Sequence, residues 1–362
     1  MTEARPMRWT LHPVSDLPSL MNDWQALAAR LDRPLPLDFA LVQCLLDAFE
    51  PADVRIARLG DPTHVRAMAV LERQAPLAWR TAKLDNAPLG LWLADPALPL
   101  GKALDDLLRA LPGRPLLVSL TGLDPALTPR PAETGRTRTL DYFATPAITI
   151  TDRFEPWFAG LSKNLRHNLR RQTKRLAEAG VAVEIRCLTA PAEMADAVAC
   201  YAALEASGWK AEAGTAVTPG SRQADFYRRL LEHFAAAGEA QAWQIRYDSA
   251  VVASDLCLSR DGTTIILKTA YSEVLAGNQT SPNQTLPSQT SPAQLMRRAM
   301  FEALFDAPGA RRIEFFGPLK PWHQTWTREE RQLYHLNHYR WDVLPRLRSL
   351  IGRLRRGPAA AP

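Results

Sequence analysis

The chain has 362 residues, enough for two domains that each bury a sizeable core. It is 46% hydrophobic and 23% charged, too apolar for a disordered chain, and no run of 18 apolar residues marks a membrane-spanning helix. The net charge of +6 is unevenly placed: up to residue 147 there are 16 Arg and Lys against 17 Asp and Glu, and beyond it 28 against 21. Most of the basic residues are arginine, which suits forked recognition of phosphate or carboxylate. Biased codon usage would explain arginine over lysine, but not the confinement of the excess to one half. Cys44, Cys187, Cys200 and Cys257 lack metal-type spacing and read as thiols of a reducing compartment. The first fourteen residues carry Glu3, Arg5 and Arg8 and no apolar core, unlike a secretory signal. The expected location is cytoplasmic, or peripheral at the inner face of the membrane.

In the first half, residues 16–31 and 37–49 have helical spacing, 54–59 and 64–71 read as short strands, and a helix at 104–111 precedes a strand at 115–120. Residues 123–138, rich in Pro, Thr and Gly, read as a long loop near a domain boundary, and a strand resumes at 140–150. In the second half a basic helix, 162–179, ends at Gly180, a helix-terminating residue. A strand at 181–188 and helices at 191–206 and 222–236 follow. Then come three strands, 240–247, 251–259 and 263–270, separated by Asp248-Ser249 and Asp261-Gly262 turns. A long polar loop leads to a helix at 292–305, and strands at 312–316 and 332–339 are expected to close the domain.

This order of elements is that of the GNAT acetyltransferases. The residues resemble the branch of that superfamily linked to cellulose biosynthesis (CelD/BcsL-like) and related to the FemAB-type transferases. The resemblance rests on Leu161-Ser-Lys-Asn-Leu-Arg166, Leu204-Glu-Ala-Ser-Gly-Trp-Lys210, Leu267-Lys-Thr-Ala-Tyr271, Ser291-Pro292 opening a helix, and Trp326-Thr-Arg-Glu329. It covers residues 150 to 340, with a weaker match at Asn86-Ala-Pro-Leu-Gly-Leu-Trp92. It implies an α/β (α+β) protein of two tandem GNAT-like domains, each a mixed, mostly antiparallel sheet flanked by helices. The expected division is a degenerate domain at 1–147, the acyltransferase domain at 148–340 and a basic tail at 341–362. The implied activity is acyl transfer, acetyl first among the acyl groups, from acyl-CoA to an amine or hydroxyl of a sugar, polysaccharide or cell-envelope precursor. The alternatives are aminoacyl transfer from tRNA, as the FemAB likeness suggests, and a non-catalytic binding protein whose CoA site is disabled.

Candidate residues follow from this frame. In the basic helix Lys163, Arg166, His167, Arg170 and Lys174 recur at spacings of three and four, with no acid before Glu178. A solvated charged face is the bland reading; the sharper one makes Arg166 and Arg170 contacts for the cofactor's phosphates, or for tRNA. Trp209 and Lys210, beyond the stop at Gly208, and Trp326 are expected at the acceptor pocket. At the start of helix 292–305 the family's Ser-Pro-Gly is here Ser291-Pro292-Ala293. Ser291 is the expected N-cap, and Ala293 and Gln294 the expected backbone contacts to phosphate. Upstream, residues 278–292 repeat a pentapeptide three times imperfectly, and 278–287 read as an exposed excursion.

Lys268 interrupts an apolar strand and needs a partner, for which Asp255 in the neighbouring strand is the candidate. A buried structural ion pair is the bland alternative. Transfer requires a base for the acceptor, expected from Asp255 or Glu273, and an acid for the leaving thiolate, expected from Tyr271 or Tyr334. His335 and His338 are three apart on a strand and point to opposite faces, so no metal is expected. The tail alternates Leu347, Leu350, Ile351 and Leu354 with arginines, a pattern suited to an anionic membrane surface or nucleic acid.

Overall fold

The structure, a computed structural model, describes residues 7–49, 52–61, 63–82, 84, 86–207, 217–272 and 291–346. Two compact units divide the chain: unit 1 comprises Met1–Ala144 and Gln332–Pro362, and unit 2 comprises Thr145–Arg331. Both are mixed α/β layers, as the sequence implied.

In unit 1 the strands are β1 (Arg8–His12), β2 (Val54–Gly60), β3 (Val65–Ala75), β4 (Ala78–Thr81), β5 (Trp92–Ala94) and β6 (Leu117–Leu123). The helices are α1 (Met21–Ala29), α2 (Phe39–Phe49) and α3 (Leu100–Ala110). The first turns of the helix expected from residue 16 are a 3-10 helix, Val14–Leu20, interrupted by Pro18. The sheet runs β1-β2-β3-β4-β6, with β5 against β3, and only the β4–β6 pair is parallel. Trp9, Trp79, Trp92, Leu104, Leu107 and Leu120 share its core.

β4 and β6 pair only at 78–80 against 117–119, and β6 then runs on past the end of their pairing. The gap that this leaves is filled by the chain itself. Gly90 N–H donates to Gly122 O at 3.0 Å, and a Cβ at Gly90 would stand 1.7 Å from the Thr121 carbonyl oxygen. Only glycine allows this approach. Thr121 N–H closes the seam on Thr81 Oγ1 at 2.9 Å.

One long strand, β7 (Thr137–Thr149), enters unit 2, which continues with α4 (Phe154–Gly160), α5 (Lys163–Glu178), β8 (Val183–Leu188), α6 (Met194–Ala206) and α7 (Arg222–Ala236). Then come β9 (Ala240–Tyr247), β10 (Ala250–Arg260), β11 (Thr263–Tyr271), α8 (Pro292–Phe305) and β12 (Arg312–Phe315). Its sheet runs β7-β12-β11-β10-β9-β8, antiparallel except for β11–β12. One face packs against α4, α5 and α8 through Phe154, Leu165, Leu169, Met296, Met300 and Phe301. α6 lies over β10 and β11, and α7 packs beside α6.

The turns follow the sequence: Asp248 and Asp261 have positive φ, as short hairpins demand. Gly262, φ +78°, also presses on the β12 approach, where a Cβ would lie 1.9 Å from Gly309 O. The final strand, β13 (Glu330–Tyr339), departs from expectation. Rather than closing the second domain it pairs antiparallel with β6, so residues 332–339 belong to unit 1. A strand pattern carries no record of which sheet edge it will meet.

Candidate functional site

In unit 2 the two parallel strands part company. β11 and β12 pair over four residues, Thr263–Ile266 against Arg312–Phe315. Beyond that point β11 keeps β10 on one side, and its other edge, residues 267–271, lines a cleft of about 390 Å³. The segment 315–323 forms the opposite wall, and Leu204 and Glu205 of α6 close one end. Beyond Ile266 the cleft-side edge of β11 pairs with no strand among the described residues, so it offers backbone donors and acceptors to an extended ligand.

Behind this edge is a buried polar cluster. Asp255 is fully buried and stands opposite Thr269, while Leu256 stands opposite Lys268. The expected Asp255–Lys268 pair is therefore corrected: alternation places the two side chains on opposite faces of the sheet. The partner of Asp255 is Arg297 of α8, with Nε 3.4 Å from Oδ2 and side-chain exposures of 3% and 0%. Arg297 Nη2 donates to Thr269 Oγ1 at 2.8 Å, and its guanidinium lies 3.9 Å from the centre of the Trp322 ring. Trp322 in turn stacks on His323, with centroids 3.6 Å apart. Burial pushes the Asp255 carboxyl up, opposed by Arg297 and Thr269.

His323 reaches the cleft wall and is 5% exposed. Burial first, and then the nearby Arg297 charge, push its imidazole down to about 4. Its Nδ1 accepts the Lys320 N–H at 2.9 Å, so the neutral ring carries its proton on Nε2. Lys268 and Tyr271 line the same cleft, Lys268 with its Nζ 5.6 Å from the centre of the Tyr227 ring. At the end of the cleft Glu205 accepts the Tyr201 hydroxyl and the Val217 N–H, each at 2.7 Å. Sequence reading singled out neither Arg297 nor His323. The signals present were an arginine on the buried side of an otherwise apolar helix, and a Trp-His step in a polar loop.

The remaining candidates are dispersed. Tyr334 lies in unit 1, where its hydroxyl donates to the Thr128 carbonyl at 2.8 Å, so it is withdrawn as the acid of this cleft. Trp326 is fully buried in the α4–α8 core and donates to Gln294 Oε1 at 2.6 Å. It is thus a core anchor rather than a wall of the acceptor pocket, and Gln294 is its partner. Ala293 is 4% exposed, and the Gln294 N–H is already turned back to Ser291 O at 3.0 Å. Arg166 and Arg170 line a separate hollow that shares no residue with the cleft. Trp209, Lys210, Glu273 and residues 278–290 of the repeat lie outside the described residues, as does the tail beyond Arg346. His335 accepts the Gly122 N–H, and His338 meets Asp105 at 2.8 Å. Among the described residues no cluster of His, Cys, Asp and Glu could hold a metal, and no helix is long and apolar enough to cross a membrane.

The basic helix ends where expected, whereas the start of α8 is held differently. α5 is capped by Ser162, whose Oγ accepts the Leu165 N–H, and it stops at Gly180 with φ +69°. Ser291 precedes α8 without a side-chain cap bond; its own N–H donates to Gln172 Oε1 of α5 at 2.8 Å. Ser291→Ala is therefore expected to change stability by less than about 0.5 kcal/mol. Gln172→Ala, which strands a part-buried N–H, is expected to cost about 1–2 kcal/mol. Urea denaturation of the two variants separates these outcomes.

Comparison with known proteins agrees with this architecture. Residues 163–324, which lie within unit 2, match the family described as acetyltransferase (GNAT) domain. No curated protein sequence matches the chain at a significant level. Among solved structures, FemX is similar over 95% of this chain and 100% of its own, with TM-score 0.56 and 10% identity. The C-terminal domain of a putative lysylphosphatidylglycerol synthetase from Agrobacterium fabrum is similar over 91% of this chain and 96% of its own, with TM-score 0.52 and 11% identity. At such identities the likeness concerns the fold.

Proposed function

We propose that unit 2 transfers an acyl group, acetyl in the first instance, from acyl-CoA to an amine or hydroxyl acceptor in the β11–β12 cleft. The observation that carries this reading is the parting of the two parallel strands. It leaves the 267–271 edge open, and a slender amide-bearing chain such as the pantetheine arm fits against a strand edge in the manner of an added strand. The donor supplies a thioester carbonyl, already activated towards attack. Attack of the acceptor nitrogen or oxygen on the thioester carbon breaks the carbon–sulfur bond, and CoA leaves as a thiolate that takes up the proton lost by the acceptor. His323 presents a neutral Nε2–H donor to developing negative charge, and Lys268 and Tyr271 add polar groups to the same walls. Unit 1, whose corresponding gap is sealed by Gly90, supports the reading of a degenerate first copy.

The acceptor we favour is a sugar, polysaccharide or cell-envelope precursor, on the strength of the likeness of the 161–166, 204–210 and 267–271 stretches to the cellulose-biosynthesis branch. Titration calorimetry with acetyl-CoA tests the donor: saturable binding is expected, and no heat at millimolar ligand overturns the reading. A screen of amino and hydroxyl saccharides, read by thiol release, then identifies the acceptor.

A further inference from the structure

A second concavity of unit 2, about 540 Å³, lies between α4, α5 and α8. Its apolar floor includes Phe158, Ala159, Leu169 and Ala177; its rim carries Arg166, Arg170 and Lys174 from α5 and Arg298 from α8, with Glu155 the one acid among the lining. The size is that of a small-molecule site, and the polarity is that of a pocket for an anion with an organic part.

The charges on α5 are set against the helix that bears them. Arg166, Arg170 and Lys174 follow one another at spacings of four, where like charges repel. Lys163, Arg166 and His167 stand in the first turns, at the positive end of the helix dipole, and no acid occupies the first turn. The fold does little to neutralise them. Arg166 and Arg170 turn Nε to the carbonyls of Leu161 and Arg166, each at 3.3 Å, and meet no carboxylate among the described residues. Lys174 has only the well-exposed Glu178 at 3.6 Å, and Arg298 only Glu302 at 3.8 Å. Arg298 also rests over the Phe158 ring at 5.5 Å, which holds its guanidinium at the edge of the hollow. Local charge rules broken together at one concave place mark a site whose counter-charge comes from outside.

We infer that this hollow binds a phosphate-bearing ligand, its phosphate or pyrophosphate held by Arg166, Arg170 and Arg298 and its organic part seated on Phe158 and Leu169. Guanidinium forks match phosphate oxygens two at a time. The same chemistry is offered by an anionic lipid headgroup at a bilayer surface and by a soluble organic pyrophosphate. The hollow shares no lining residue with the acyl-transfer cleft, and the ligand meant here is a phosphate compound other than the acyl-CoA of that cleft.

The test uses the full chain and two variants, Arg166→Gln/Arg170→Gln/Arg298→Gln, and Ala177→Trp, which fills the hollow and keeps its charges. Inorganic pyrophosphate is expected to raise the melting temperature of the native protein and to leave both variants unmoved. Without ligand the triple variant is expected to melt at the same temperature as the native chain or above it, because removing a counter-charged structural element would lower it and removing repulsion does not. Sedimentation with phosphatidylcholine vesicles containing phosphatidylglycerol separates the sources. Binding that falls at least tenfold in both variants assigns the headgroup, and pyrophosphate binding without vesicle binding assigns the soluble ligand. Equal behaviour of all three proteins overturns the proposal, as does binding to neither probe. A polyuridylate oligomer that binds at least tenfold more tightly than either probe also overturns it, in favour of nucleic acid. None of the arms uses acyl-CoA, so the proposed transfer reaction stands or falls separately.

Discussion

Arg297→Met is expected to destabilise unit 2 by about 3–5 kcal/mol, the largest stability effect of any substitution near the cleft. The cause is what the substitution leaves behind. Asp255 is fully buried, and without the guanidinium 3.4 Å away its charge has no compensating cation. Asp255→Leu combined with Arg297→Met removes both charges and is expected to recover most of the loss, since a buried pair replaced by apolar groups is often close to neutral. Burial raises the folded-state pKa of Asp255 above its unfolded value, and removal of Arg297 raises it further. A carboxyl that binds its proton more tightly when folded gains stability as pH falls, so the defect of the single variant should shrink on acidification. Urea unfolding at several pH values reads both effects; a single variant as stable as the native chain would show that the pair is not closed in solution.

His323→Leu is expected to lower kcat/KM for acyl transfer by about 10²–10³, the usual effect of removing one donor to a developing oxyanion. Acetyl-CoA affinity is expected to change little, because the donor acts on charge that appears only during reaction. The native imidazole, held down to about 4, remains neutral across the physiological range. The acid limb of the rate should therefore fall near pH 4 rather than near 6.5. The same depression contributes to stability. Because the folded pKa lies below the unfolded one, the contribution is present above pH 6.5 and is lost as pH falls towards 4, by on the order of 3 kcal/mol. Subtracting the pH dependence of His323→Leu from that of the native chain isolates this loss.

The parts legible in the sequence are those set by local patterns. The 162–179 helix announced itself by its basic residues at spacings of three and four and by Gly180, and the β9–β10–β11 meander by Asp248 and Asp261-Gly262. β5, three residues long, and α4, seven, are too short to establish a period. The site was half legible. Lys268 and Tyr271 stood out as polar residues in an apolar strand, and both line the cleft. The partner of Asp255 was assigned to the wrong face, since the choice between Lys268 and Arg297 depends on register and on a helix 42 residues away. Ser291 had the right chemistry for a cap, but its side chain makes no cap bond, and its own N–H is held by Gln172 Oε1, a contact across 119 residues. Tyr334 was misplaced for the same reason as its strand: pairing partners are a tertiary decision.

The return of β13 to β6 has a consequence for synthesis on the ribosome. Ser119 and Asn337, whose side chains meet at 2.6 Å, are separated by 218 residues. At about 5–20 residues per second, the nascent chain must wait roughly 10–40 s between making β6 and making the strand that covers it. During that time β6 has β4 on one side and a bare edge of Leu117–Leu123 on the other. Unit 2, whose strands are all present once Arg331 has emerged, completes its sheet first, although it is encoded later. The amino-terminal unit is thus finished last, and the interval exposes an apolar strand edge of the kind that pairs with other chains.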